Sequence, residues 1–159
     1  VHNLQVLKLS VNPTEQFHAA AEYYRVSRVS DSDYDHIWGL GAQYKFVDTA
    51  ALSGGCWKNT SDNNGDTNKA WNVELAYRGA EPENMHSFGL FVAYRRLGEK
   101  VAFNPTFDAI KSGEKGWEVG GEYTFAKNIV GYVAYVDGEN IADRGTDVKK
   151  IWSRIKYFF

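Results

Sequence analysis

The feature that most restricts what this chain can fold into is an apolar–polar alternation of period two, repeated in segment after segment, with helical periodicity almost absent. From Gly116 onward, Trp117, Val119, Gly121, Tyr123 and Phe125 fall on one face of an extended strand and Glu118, Gly120, Glu122 and Thr124 on the other. Trp71, Val73, Leu75 and Tyr77 likewise oppose Asn72, Glu74, Ala76 and Arg78. Phe88, Leu90, Val92 and Tyr94 oppose Ser87, Gly89, Ala93 and Arg95, with Phe91 an exception on the polar side. Trp38, Leu40, Ala42, Tyr44 and Phe46 oppose Gly39, Gly41, Gln43 and Lys45. Weaker segments of the same kind are Leu4–Val11, Gln16–Val26, Ala50–Lys58, Asn128–Asp137 and Lys149–Phe159. The pattern predicts nine strands, most of about 9–11 residues, the length a tilted strand needs to cross a bilayer.

The composition of the two faces separates a membrane wall from a soluble sandwich. A sandwich fills its inward face with branched aliphatics that interdigitate. Here the apolar face carries Trp, Tyr or Phe at its ends and Leu, Val, Ala or Gly in its middle. That order suits a lipid-facing strand with an aromatic girdle at each interface. The other face is rich in Gly, Ala, Glu, Gln and Arg, which cannot make a dry core but can line a wet lumen. Aromatics make up 15% of the chain, yet mean hydropathy is only −0.46. A wall greasy outside and wet inside averages in this way.

Connections alternate in length. Short turns fall at Asn12–Pro13, Asp48–Thr49 and Ala126–Lys127, with a shorter link at Gly79–Met85. Long polar stretches run over Ser27–Asp35, Asn59–Lys69, Leu97–Lys115 and Gly138–Val148. Bacterial outer-membrane barrels show this asymmetry, with short periplasmic turns and long external loops. The expected fold is therefore all-β, antiparallel transmembrane barrel strands in a single β-barrel domain.

Other function classes find little support. The net charge of −2, without a basic run, argues against nucleic acid as a partner. Cys56 is the single cysteine, which excludes an internal disulfide or a cysteine-based metal cluster. His2, His18, His36 and His86 lack metal-ligand spacing, and neither a nucleophile elbow nor a phosphate loop occurs. The loops SDSDYD (30–35) and SDNNGDTN (61–68) fail the EF-hand pattern and read as solvated external loops. An enzyme, a metal site or a cofactor is not expected. No run approaches the roughly 20 apolar residues of a transmembrane helix. No signal peptide opens the chain, so any export signal is expected to have been removed or to lie upstream.

Two stretches carry a family resemblance. VAYRRLG (92–98), then NPTFD (104–108) and KGWEVGGEYTFAKNIVGYVAYVDGENI (115–141), together with the ending KIWSRIKYFF, resemble the barrel of the porins of diderm Firmicutes. In that family an S-layer-homology domain and a coiled coil tether the barrel to the cell wall. The first third of this chain is similar only in style, and neither the tether nor the family's internal constriction can be carried over. The amphipathic last strand ending in Phe159 resembles the signal read by the barrel assembly machinery. With that end periplasmic, nine strands would start outside the cell. Because bacterial barrels normally have an even strand number, upstream strands are expected in a longer parent.

The resulting expectations are specific. Pore-lining residues should be Lys8, Glu22, Lys45, Glu74, Arg78, Arg95, Glu118, Glu122, Asp137, Lys150, Arg154 and Lys156, hydrated and setting ion preference through their field. The competing reading, in which these charges pair and plug the interior, is disfavoured by the many Gly and Ala. Lipid-facing residues should be Trp38, Leu40, Trp71, Val73, Leu75, Leu90, Val92, Trp117, Val119, Tyr123, Ile155, Tyr157 and Phe159. The expected function is an outer-membrane porin passing ions and small polar solutes, in contact with outer-membrane lipid and allowed to form a homotrimer. The alternatives are a structural barrel anchoring membrane to cell wall, and a soluble barrel with its apolar residues enclosed around a ligand.

Overall fold

The computed structural model describes residues 3–27, 34–63, 65–102 and 107–159. Its strands are β1 (Leu4–Val11), β2 (Phe17–Ser27), β3 (Tyr34–Val47), β4 (Ala50–Asn59), β5 (Lys69–Arg78), β6 (Phe88–Leu97), β7 (Glu114–Ala126), β8 (Ile129–Asn140) and β9 (Asp147–Tyr157). They form one antiparallel sheet in sequence order, with β1 and β9 at its edges and not paired to each other. No helix occurs among the described residues.

Each strand follows from the alternation, and the connections move their ends by a few residues. β3 begins at Tyr34, inside the expected polar loop, because its first residues pair with the end of β2 (Ser27 opposite Tyr34, Val26 opposite Asp35). β8 runs to Asn140, so the last long loop shrinks to 141–146. The link after β5 covers 79–87. It packs on the β7–β8 turn, where the Thr124 hydroxyl donates to the Glu81 carbonyl at 3.0 Å and the Asn128 N–H to Pro82 at 2.6 Å. β9 stops at Tyr157. Phe159 therefore lies beyond the strand, fully exposed, and no ladder assigns it to a face as expected.

Register places the expected apolar faces together. Trp38 is opposite Tyr23, Leu75 opposite Val92, and Val92 opposite Val119. On this common face the aromatics gather in two bands. Toward the long loops lie Tyr23–Trp38 (centroids 4.6 Å apart), Trp71–Tyr94 (5.1 Å) and Tyr94–Trp117 (5.2 Å). Toward the short turns lie Tyr44–Phe46, Tyr77–Phe88 and Tyr123–Phe125. Trp71 and Tyr77, like Trp117 and Tyr123, stand six residues apart, about 20 Å along a strand.

Nothing among the described residues covers this face. Trp38, Leu40, Trp71, Val73, Leu75, Leu90, Val92, Trp117, Val119, Tyr123, Ile155 and Tyr157 are all exposed. The enclosed apolar interior of a soluble ligand-binding barrel is not formed by them. What buried core there is sits on the opposite face, where residues 107–110 fold back onto β6 and β8. Ala109 and Ile110 pack there with Leu97, Ala134 and Val136.

Candidate functional site

The site is the inner face of the sheet, the one that residues 107–110 cover. Alternation delivers to it Lys8, Glu22, Lys45, Glu74, Arg78, Arg95, Glu118, Glu122, Lys150, Arg154 and Lys156, as the register of each ladder requires. Asp137 is the exception. It pairs with Trp117 on one side and Lys149 on the other, so it is exposed on the outer face. The reason is parity, since Val133 and Tyr135 point outward and period two carries Asp137 with them.

The expected free, hydrated charges are largely paired. Lys8 meets Glu22 at 2.9 Å, Lys150 meets Glu114 at 2.7 Å, Arg154 meets Asp108 at 2.8 Å and Lys156 meets Glu122 at 3.0 Å. Arg95 is the centre of the tightest group. Its Nε donates to Glu118 at 2.6 Å and its Nη2 to Glu74 at 2.5 Å. The Phe107 ring covers its guanidinium at 3.8 Å. The Arg95 and Glu118 side chains are only 3% and 1% exposed, so the pairing offsets the large desolvation cost of burying either charge. Lys45 and Arg78 differ. Neither has a carboxylate partner among the described residues, and both line an open hollow of about 550 Å³ at the short-turn end of the face.

The segment joining β6 to β7 is the largest departure from the sequence reading, which made it an external loop. Its backbone is tied to neighbours at both ends. Lys100 N–H donates to Thr67 at 3.1 Å and Gly113 N–H to Leu97 at 2.7 Å, while Ile141 N–H donates back to Gly113 at 2.8 Å. In between, Ile110 is 0% exposed against Leu97 and Val136, and Asp108 reaches Arg154. Of NPTFD (104–108), Phe107 and Asp108 belong to this inner lining and the remainder lies outside the described residues, as does most of SDSDYD (30–35). Asp35, the last residue of that motif, is buried and accepts from Asn59 at 2.8 Å.

The alternation puts Phe91 on the polar side, and the structure adds further aromatics to the same inner face. Trp57 donates from Nε1 to Glu22 at 3.1 Å, and Tyr24 donates to the same carboxylate at 2.8 Å. The Trp57 ring lies where Cβ atoms on Gly39 and Gly55 would stand, so those glycines make room for it. Phe91, the exception to its strand's pattern, uses the same device over Gly120 and stacks on Tyr132 at 6.1 Å. Tyr132 in turn meets Trp152 at 5.6 Å. Each was detectable as an aromatic at polar-face parity next to a cross-strand glycine or another such aromatic.

Among the described residues no group of His, Cys, Asp and Glu is placed to hold a metal ion. The arrangement is a polar, ion-paired wall narrowed on one side by a folded-in segment, with an apolar, aromatic-banded face behind it. Compared with known proteins, the chain matches the family described as Gram-negative porin over residues 5–143. No curated protein matches it.

Proposed function

The chain belongs to the Gram-negative porin family, and from that membership we propose that its sheet is part of the wall of an outer-membrane channel for passive diffusion of ions and small polar solutes. The observation that carries this reading is the opposition of the two faces. One presents lysine, arginine and carboxylates with glycine and alanine between them; the other presents leucine, valine and two aromatic bands. In hydrocarbon every backbone polar group must be paired, which a strand ladder provides everywhere except at its edges. The edges β1 and β9 would therefore meet further strands in the membrane-inserted protein. A barrel of about 16–18 strands encloses an aqueous channel.

In this reading the segment folded onto β6–β8 narrows the passage, and ions feel the charges left without a partner. Among the described residues these include Lys45 and Arg78, whose hollow at the short-turn end Asp48 and Glu81 also line, so the preference for anions there would be slight. The stretches 92–98 and 115–141 further support a place among the S-layer-homology-tethered porins of diderm Firmicutes. Insertion through the last strand by the barrel assembly machinery and assembly as a homotrimer belong to the same proposal.

The test is conduction in a planar bilayer. The protein should give large ion steps of weak anion preference. Lys45→Glu with Arg78→Glu should move the preference toward cations, most strongly at low salt where the Debye length is about 30 Å. The same reversal at Lys156, already paired with Glu122, should move it less. A barrel that inserts but carries no current would refute the channel and leave a membrane anchor.

A further inference from the structure

The outer face is not uniformly smooth. Outward positions along β4 are Leu52, Gly54, Cys56 and Lys58, opposite Tyr44, Ala42, Leu40 and Trp38 on β3 and Leu75, Val73, Trp71 and Lys69 on β5. The glycine and cysteine make β4 the floor of a trough whose walls are the larger side chains beside it. Three adjoining hollows of about 420, 630 and 240 Å³ run along it. The first lies between Trp38 and Trp71 and shares Leu40 and Cys56 with the second. The second shares Ala42, Gly54 and Val73 with the third. From Lys58 to Leu52 the trough extends about 20 Å along the strand. Tilted as barrel strands are, it spans about 15 Å of depth, half of a hydrocarbon core about 30 Å thick.

The long-loop end of the trough is closed by two cations. Lys58 and Lys69 are direct cross-strand partners, both are exposed, and both line the first hollow. Like charges directly opposite each other destabilise a ladder. Other cations near this level have partners: Lys115 meets Glu139 at 2.8 Å, Arg144 in the loop after β8 meets Asp66 at 2.9 Å, and Arg25 lies over the Tyr34 ring at 3.7 Å. Lys58 and Lys69 have none among the described residues. An apolar trough of one leaflet's depth, ending in an uncompensated pair of ammonium groups, has the shape and charge of an acyl chain with an anionic head.

We propose that this trough binds a phosphorylated acyl lipid from the leaflet on the long-loop side, with its phosphate on Lys58 and Lys69 and one chain lying along β4 between Trp38 and Trp71. The inference rests on the membrane-spanning reading above. A second copy of this chain is a poorer occupant. The outward strand acids it could offer at this level are Glu139, held by Lys115, Asp137, opposite Lys149, and Asp147, which sits beside Glu139 on the sheet's edge strand.

The test uses the protein purified from its own membrane in non-ionic detergent and titrated with dipalmitoyl phosphatidic acid or dipalmitoylglycerol, with bound lipid counted by native mass spectrometry. Phosphatidic acid should bind at least tenfold more tightly than the uncharged lipid. Lys58→Gln should weaken it about fivefold, and adding Lys69→Gln about thirtyfold, as expected for lysines meeting anionic lipid. The double arginine variant should retain it. Cys56→Trp, which fills the trough and keeps both lysines, should also lower lipid retention. Equal binding of the two lipids, or indifference to the double glutamine variant, would overturn the proposal. So would a change in protomer number instead of bound lipid in Cys56→Trp, which would make the trough a subunit contact. Failure of the unaltered protein to enter liposomes is a different result, and would remove the membrane reading itself.

Discussion

The inner face changes character halfway along the sheet. Over β1 and β2 it is open: every residue of β1 is exposed, and the Lys8–Glu22 pair has its lysine 53% exposed. Over β6 to β8 it is dry. There the folded-in segment seals Arg95, Glu118 and an apolar group of Leu97, Ile110, Ala134 and Val136 away from solvent. Both halves are built from the same alternation, and both place acid and base on the inner face. A polar strand face therefore does not decide by itself whether it lines water. What covers it decides.

Given that contrast, breaking pairs in the two halves should have very different costs. Arg95→Gln strands the Glu118 carboxylate in a buried site, where losing one partner of an ion pair costs about 3–5 kcal/mol. Thermal denaturation in detergent should show a large fall in midpoint, and adding Glu118→Gln should recover much of it. An unchanged midpoint for Arg95→Gln would show that this half is as wet as the other. Ile110→Ala removes the apolar anchor of the covering segment, and such truncations cost about 2–5 kcal/mol. Its sharper consequence is release of the segment, seen as faster protease cleavage within 98–113 and a larger single-channel conductance. Stability loss with unaltered cleavage would mean that backbone ties alone hold the segment in place. In the open half, Lys8→Ala removes an exposed pair worth about 0–1 kcal/mol and should leave the midpoint almost unmoved. A loss comparable to that of Arg95→Gln would erase the distinction between the halves.

Much of this organisation was legible in the residues. Leu4–Val11 is one strand in both readings, and the outward set from Trp38 to Tyr157 shares one exposed face as alternation implied. Asp137 is carried outward by its parity with Val133 and Tyr135, although its charge suggests the polar face. Trp57 is harder to place from the residues: as an aromatic it suggests a lipid face, yet its strand position sends it inward, over Gly39 of β3 and Gly55 of its own strand.

What the sequence determined by itself is the direction of each side chain, because successive residues of a strand must point to opposite sides and that constraint is local. Nine strands, their meander order through short turns, and the chemistry of the two faces all descend from it. The course of residues 107–113 has no such local rule. Ile110 is buried only because Leu97, Ala134 and Val136, contributed by β6 and β8, meet to form an apolar patch. Asp108 and Arg154 pair across 46 positions of sequence. Burial and ion pairing between such distant residues depend on which strands lie side by side, so the tertiary structure alone decided which half of the face is sealed.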